Sequence, residues 1–409
     1  MPDRVERRLK DFFGLNASML SMIVLVVFIG LGEKMAERFL PLYLLLLGGG
    51  IWSVGSLNAL QNLLGALYAF PGGWASDSFG YKRALLIFTG VAMAGYLLVI
   101  VVPRWWAVFI GAVFFIAWTA ISLPAIMSMV SKLLPRNRRT MGVTVHSFVR
   151  RIPMALGPVI GGVLIGALGT LWGVRAGFAA AFALGALGTL CVIFLMKEEA
   201  RERKPSGKLL GSLRNISPPL RNLLLSDILI RFCEQIPYAF VVVWVVELNR
   251  FSALRFGLLT TIEMATAMLV YIPVAYLADR STKKPFVLIT FVFFTLFPLV
   301  LLFSRTFPLL ALAFIIRGLK EFGEPTRKAL IMDLAPEDAK ALTFGAYYLV
   351  RDLVVSIAAL SSALLWSISP QVNFLAAAGC GLVGTLVFAV FGKDVSGRGE
   401  RSRCIDERR

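Results

Sequence analysis

The feature that most constrains this chain is an internal repeat at half its own length. Matched residues lie 201 or 202 positions apart: Glu33 with Glu234, Pro124 with Pro325, Pro71 with Pro273, Asp77 with Asp279, and Lys82 with Lys284. A repeat of this length means that one structural unit is built twice. In a mostly apolar chain, it is typical of proteins made of two similar membrane bundles with a site between them.

The composition places most of the chain in lipid. Hydrophobic residues make up 58% of the 409 and charged residues only 16%, which is more apolar surface than a soluble core can bury. Apolar stretches long enough to cross about 30 Å of hydrocarbon recur about twelve times, six in each half. They include 141–169, 173–196 and a continuous tenth stretch at 306–332. We predict an all-α membrane protein with twelve transmembrane helices in two six-helix bundles related by the repeat.

The charge distribution predicts an orientation in the membrane. The formal net charge is +18, and most of the 42 Lys and Arg fall at the two ends and in alternate loops. The opposite loops hold only a few cations: Arg104, Arg175, Arg250, Arg255 and Arg305. This asymmetry is typical of a multi-pass protein of the plasma (inner) membrane with both termini in the cytoplasm. It argues against a nucleic-acid partner, because the charges follow the loops.

The polar segments predict how the chain is divided. Residues 197–222 are rich in charge, Pro and Gly, and we expect them to form a cytoplasmic linker between an N-terminal bundle, 1–196, and a C-terminal bundle, 223–392. Residues 393–409 are expected to form a cytoplasmic tail. The four cysteines lack the spacing of a metal site, and no nucleotide-binding loop or nucleophile–base arrangement is present. We predict no metal, no cofactor and no enzymatic activity.

A loop between the second and third stretches carries a known signature. It reads Gly73-Trp-Ala-Ser-Asp77-Ser-Phe-Gly80-Tyr-Lys82-Arg83, and its counterpart in the second half keeps Asp279 and Lys284 but lacks both glycines. This pattern resembles the cytoplasmic loop signature of the major facilitator superfamily, and the resemblance extends over the whole chain. A carboxylate, a tight turn and two cations can hold a neighbouring helix end and act as a conformational latch. Alternatively, Lys82 and Arg83 only set the topology.

A second pattern lies in the fifth stretch. Gly157-Pro158 followed by Gly161-Gly162 resembles the signature of proton-coupled exporters in this superfamily, the prokaryotic drug and metabolite antiporter group. Small residues at i and i+4 allow two helices to approach closely, and a proline permits a bend. The counterpart in the second half has no Gly-Pro. The motif therefore favours export, although a plain packing face remains an alternative.

The tenth stretch has the highest density of charges. Arg317, Lys320, Glu321 and Glu324 fall at helical spacing on one face, where the fourth stretch has apolar or small residues. Ionisable groups at membrane depth cost at least about 2.5–3.5 kcal/mol each on insertion scales and normally face a cavity or a partner. This face is the predicted lining of a substrate or coupling cavity. The alternative is an internal ladder of i to i+4 ion pairs that braces the helix.

Carboxylates in the first and seventh stretches are candidates for coupling. Glu33 and Glu234 lie at matched positions, and each can carry a proton, pair with an arginine, or mark a helix end. Other polar groups that can line the cavity are Glu37, Arg38, Gln61, Arg231 and Glu263. His146, beside two arginines, is expected to be a packed polar residue rather than a proton relay.

The resemblance implies a secondary active transporter. We expect a monomer in membrane lipid that moves a small-molecule substrate by alternating access, with protons as the coupling ion and export as the direction. The alternatives are an uptake symporter or a uniporter for a polar or anionic solute, or a transporter of a lipid-like substrate. The sequence does not identify the solute, because one scaffold carries many.

Overall fold

A computed structural model describes residues 17–79, 81–116, 118, 139–196, 217–278, 282–336 and 340–393. Helices account for nearly all of these residues, and no strand occurs among them. We number the helices in chain order: α1 Ala17–Glu37, α2 Leu40–Leu46, α3 Gly50–Phe79, α4 Tyr81–Val101, α5 Trp105–Ile116, α6 Arg139–Leu195, α7 Pro218–Tyr238, α8 Val241–Val243, α9 Ala253–Ala278, α10 Lys284–Phe303, α11 Phe307–Leu319, α12 Glu324–Leu334, α13 Lys340–Ile368 and α14 Pro370–Phe391.

Six helices in the described part of the chain are long and apolar enough to cross a membrane, or seven if α7 and the 241–248 segment form one bent span. Within this segment, α8 is followed directly by a π-helical turn, Trp244–Leu248. Outward-facing leucine, isoleucine and phenylalanine side chains are common on these helices, as expected where lipid replaces water as the solvent. The helical membrane architecture predicted from the sequence is therefore confirmed at this coarser level.

Helix α6 consists of two helical segments that meet at a kink. Its 57 residues would be about 86 Å long if straight, far more than one span needs, and the helical backbone is interrupted at Gly169, where φ is 76°. This left-handed conformation is open to glycine at little cost. The kink lies at the predicted boundary between the stretches 141–169 and 173–196.

The tenth stretch is broken, which corrects the prediction of a continuous helix with one charged face. α11 ends at Leu319 and α12 begins at Glu324, with turns at 320–323 between them. Gly323 packs against the backbone of Phe286, and its N–H donates to the Thr290 hydroxyl at 2.5 Å. Pro325 lies in the first turn of α12, where a proline lacks only a hydrogen bond that the position does not need.

The described residues pack as two compact units. Unit 1 takes its residues from Met1–Ser206, Tyr238–Met264 and Ser356–Pro370, and unit 2 takes them from Gly207–Pro237, Ala265–Val355 and Gln371–Arg409. Within unit 1, α1 packs along α6, and the rings of Tyr96, Phe115 and Phe178 meet at 5.7–5.8 Å. Within unit 2, an apolar core that includes Phe291 and Phe388 joins α7, α10, α12, α13 and α14.

Candidate functional site

Unit 2 contains a connected cluster of buried charges. Its members come from α7, from the break between α11 and α12, from α12 itself and from α13: Asp227, Arg231, Glu234, Lys320, Glu324, Arg327, Tyr347 and Arg351. Three helical segments distant in sequence thus share one polar network inside an apolar core. Buried charges of this kind are costly unless paired, and in membrane proteins they mark substrate or ion pathways.

Glu234 lies at one end of this cluster, between two cations. Arg231 Nη1 donates to Glu234 Oε2 at 2.6 Å, one turn away on α7, and Lys320 Nζ donates to Glu234 Oε1 at 2.5 Å. The side chain of Glu234 is only 11% exposed. The Phe294 ring lies 5.4 Å from both the Arg231 guanidinium and the Lys320 ammonium. A single carboxylate therefore joins α7 to the break before α12.

Asp227 lies at the other end and is almost inaccessible. It forms an ion pair with Arg327, and both side chains are 1% exposed. The Tyr347 hydroxyl donates to Asp227 Oδ2 at 3.0 Å. Arg327 also donates to both oxygens of Glu324, at 2.7 and 2.8 Å, and Arg231 reaches Glu324 at 3.3 Å. Glu324 and Arg231 thus connect the two ends of the cluster.

The structure pairs Lys320 and Glu324 differently from the predicted ladder. Lys320 contacts Glu234 on α7, and Glu324 contacts Arg327, Arg231 and, at 3.5 Å, Lys328. Arg317 is 3% exposed, and its guanidinium lies 5.1 Å from the ring centre of Phe297. Glu321 is half-buried in the turn itself. The helix break explains the difference, because it changes the angular spacing on which the ladder depended.

Three members of the cluster were missed or misplaced by sequence reasoning. Arg327 is not among the predicted cavity residues, although it is one of the largest fully buried side chains of the described residues. Tyr347 and Asp227 are not among the predicted cavity residues either. The detectable signal was the Gly323-Glu324-Pro325 sequence, which is typical of a helix start and leaves Arg327 in the first turn of a new helix.

A second group of charges lies in unit 1, near the end of α1. Lys34 Nζ lies 3.3 Å from Glu33 and forms an ion pair with Glu37. The Arg38 guanidinium lies 5.2 Å from the ring centre of Tyr238. Glu263 is 2% exposed in the same unit, and Gln61 on α3 is half-buried. The structure thus gathers Glu33, Glu37 and Arg38 in unit 1, whereas Arg231, Glu234 and the α11–α12 charges are in unit 2.

The lysine of the loop signature caps the end of a helix in both halves of the chain. Lys82 donates to the carbonyls of Ile193 and Met196, at 2.9 and 2.7 Å, at the end of α6. Lys284, 202 residues later, donates to the carbonyl of Ala389 at 2.8 Å, at the end of α14. Cations favour these positions because the last carbonyls of a helix lack partners and carry its negative dipole end. Lys82 therefore holds the end of α6, and Lys284 holds the end of α14.

The other predicted latch residues are less fully described. Arg83 is exposed. Gly73 and Asp77 belong to the last turns of α3, and the Asp77 side chain lies outside the described part of the structure. Gly80 and Asp279 lie outside it entirely. His146 belongs to α6, and its side chain also lies outside the described part. The role of Asp77 and Asp279 in a latch stays a prediction.

The Gly-Pro motif on α6 is a close packing surface within unit 1. A methyl group on Gly161 would overlap the Met35 carbonyl of α1, and one on Gly157 would lie 2.6 Å from the Lys34 Cβ. On the other side, Gly162 approaches the Ala253 carbonyl, and Gly257 of α9 approaches the Pro158 carbonyl. No larger residue fits at these crossings. The motif therefore sets how closely α1 and α9 approach α6.

Comparison with known proteins identifies the family. A family model described as Major Facilitator Superfamily matches residues 12–248 and 223–403, which together cover most of the chain. The chain belongs to the major facilitator superfamily. An uncharacterized MFS-type transporter of Methanocaldococcus jannaschii is 20% identical over 357 residues, which cover 84% of this chain and 87% of that protein.

Solved structures of other facilitators share the fold at low sequence identity. A nucleoside transporter superimposes with a TM-score of 0.79 at 14% identity, covering 92% of this chain and 100% of that one. A POT family transporter in complex with 5-aminolevulinic acid gives a TM-score of 0.74 at 14% identity, covering 93% and 99%. A human organic anion transporter gives 0.63 at 15% identity, covering 91% and 98%. This facilitator is therefore a multi-pass membrane transporter.

Proposed function

We propose that this facilitator is a proton-coupled secondary transporter that exports a small molecule by alternating access. The observation that carries the proposal is Glu234, a buried carboxylate held by cations from two separate segments. A proton on Glu234 would cancel its attraction to Arg231 and Lys320. Proton uptake would therefore weaken the contact between α7 and the break before α12. A local change of charge of this kind can shift the equilibrium between two conformations.

The proposal includes the arrangement in the membrane. We infer twelve spans in two six-helix bundles, 1–196 and 223–392, joined by the linker 197–222 and followed by the tail 393–409, with both ends in the cytoplasm. The half-length repeat, the basic loops and the fold shared with solved facilitators support this arrangement. We propose that the protein acts as a monomer in the plasma membrane, with no nucleic-acid partner and no cofactor.

The direction of transport rests on the Gly157–Gly162 motif, which resembles that of the drug and metabolite exporters. The motif packs closely on α1 and α9. Such packing suits a helix contact that moves during transport, because small residues let two backbones meet while few side chains have to rearrange. We also propose that Lys82 and Lys284 contribute to a latch by fixing the ends of α6 and α14.

A second candidate is proton symport of an anionic solute, and the same cations favour it. If a proton occupies Glu234, Arg231 and Lys320 become available to an anion, so proton and anion bind cooperatively and travel together. A cationic solute would instead compete with the proton for Glu234, which is what exchange requires. The sign of the coupling therefore depends on the charge of the solute.

The test is proton movement in inside-out vesicles with an acidic interior, to which cationic, neutral and anionic solutes are added one at a time. Proton efflux on addition of a solute identifies exchange, and further acidification identifies symport. Both responses should be lost in Glu234→Gln and kept in Glu247→Gln, since Glu247 is an exposed carboxylate on the same half of the chain. No pH change with any solute, from folded protein, would refute proton coupling and leave a uniporter.

A further inference from the structure

Thr290 of α10 holds the break between α11 and α12 by a direct hydrogen bond. Thr290 is fully buried, and its hydroxyl oxygen accepts the Gly323 N–H at 2.5 Å. In a continuous helix, the Gly323 N–H would donate to the Leu319 carbonyl, four residues earlier. Because α11 ends at Leu319, the hydroxyl of a neighbouring helix supplies an acceptor instead. Thr290 therefore supports a backbone conformation that a regular helix would not adopt.

Aromatic packing places the same break against α10. The Phe322 ring stacks on the Phe286 ring at 5.7 Å and meets the Phe293 ring edge-on at 6.5 Å. A methyl group on Gly323 would overlap the Phe286 carbonyl, so the backbone of the break lies directly against that of α10. Phe286 and Thr290 are four residues apart and lie on one face of the helix. This face of α10 thus contacts both the backbone and a side chain of the break.

The break decides which carboxylate the Lys320 ammonium reaches. If the helix continued through 320–323, Lys320 and Glu324 would be i, i+4 neighbours and could pair. In the structure, Lys320 Nζ donates to Glu234 of α7 at 2.5 Å, and Glu324 pairs with an arginine of α12. The break therefore directs the ammonium to α7, and Thr290 is one of the groups that hold the break.

We propose that Thr290 is a positioning residue for the Glu234 carboxylate, because it holds the break in the form that keeps Lys320 on Glu234. The inference rests on the proposed proton coupling through Glu234. The Thr290 hydroxyl contacts the backbone of the break, so it acts on the coupling group through Lys320. Without this hydroxyl, the Gly323 N–H returns to its helical acceptor and Lys320 moves back towards Glu324. Glu234 then loses one of the two cations that hold it.

Lys320 and Glu234 make other contacts that do not involve Thr290. Arg231 donates to Glu234 from one turn away on α7, so this contact needs no support from the break. The Phe294 ring, one turn beyond Thr290 on α10, lies 5.4 Å from the Lys320 ammonium. Removing the Thr290 hydroxyl adds and removes no charge. Its effect on Glu234 therefore passes through the position of Lys320.

The test is a double-mutant cycle on the full-length protein purified in detergent, with the melting temperature as the readout. Thr290→Val removes the hydroxyl at nearly constant volume and should lower the melting temperature by about 2–4 °C. In the Glu234→Gln background, the same change should cost less than half as much, because the contact that the break supports is already weakened. Thr290→Ser keeps a hydroxyl and should recover most of the loss.

Thr295→Val is the matched control. Thr295 lies on the same helix, but its hydroxyl donates to the Phe291 carbonyl and lies 3.2 Å from the Thr385 hydroxyl. The effect of this change on the melting temperature should be the same with and without Glu234→Gln. If Thr290→Val is too unstable to purify, Thr290→Ala removes the same hydroxyl and completes the cycle.

The outcomes separate the role of Thr290 from the transport function. Equal losses in the natural protein and in Glu234→Gln, or no loss at all, overturn the proposal, because Thr290 would then be a local packing residue. If a solute drives proton movement in vesicles, Thr290→Val should slow it about fivefold and should have no additional effect in Lys320→Gln; an additional effect there overturns the proposal. If no solute drives proton movement, the proposed coupling fails, and the melting cycle still decides whether Thr290 positions Lys320.

Discussion

Removing Arg327 should destabilise unit 2 strongly, because it would leave Asp227 charged and sealed from water. Both side chains are 1% exposed, and breaking a buried pair by removing one partner costs about 3–5 kcal/mol. Arg351, at 3.5 Å from Asp227, provides part of the lost attraction. We therefore expect Arg327→Met to cost about 3 kcal/mol, the lower end of that range. For a unit of this size, the melting temperature should fall by on the order of 10 °C.

The assay is thermal unfolding of the purified protein in detergent, followed through a double-mutant cycle. Replacing both partners, Asp227→Leu with Arg327→Met, removes the uncompensated charge, so the double variant should be more stable than Arg327→Met alone. Lys328→Met is the matched control, since the next residue is 49% exposed and its loss should change stability by less than about 0.5 kcal/mol. Equal melting of Arg327→Met and Lys328→Met would refute the reasoning that the pair is buried and mutually dependent.

Three further expectations follow from the packing and the caps. Gly161→Val should lower the melting temperature and the yield, because the side chain would overlap the α1 backbone, whereas Gly166→Val has open space and should fold normally; equal behaviour of the two would contradict the close crossing. Lys82→Met and Lys284→Met should each cost about 0.5–1 kcal/mol and speed amide hydrogen exchange in the last turn of α6 or α14 respectively; unchanged exchange would exclude capping. Lys320→Gln should reduce solute-driven proton movement in vesicles while leaving the protein folded, and full activity would show that the Glu234 contact is dispensable.

Local patterns in the sequence were enough to predict much of the fold. Apolar length and the half-length repeat predicted a helical membrane protein, and Gly169 marks a kink at the predicted boundary between two apolar stretches. The Gly-Pro motif lies at close helix contacts, and the need for small side chains there is visible in the local sequence. Apart from the repeat, these features depend on residues that are near one another along the chain.

The partners of the buried charges could not be predicted in this way. Asp227 and Arg327 are 100 residues apart, and nothing in either local sequence specifies the other. Helical periodicity also gave a wrong prediction for the tenth stretch. The four turn residues before Glu324 interrupt the helix, so later side chains no longer follow the periodicity of α11. The single charged face predicted across 320–323 therefore does not describe how these side chains pair, and Lys320 contacts Glu234 of α7 instead.

The repeat itself separates the scaffold from the site. Lys82 and Lys284 are matched in sequence, and they cap the ends of α6 and α14 respectively, so a repeated residue performs a repeated structural task. The charges of the tenth stretch have no matching charges in the fourth, yet they are buried and paired across three helical segments. The unmatched charges of unit 2, rather than the matched loop cations, are where the chemistry of the transported solute should be sought.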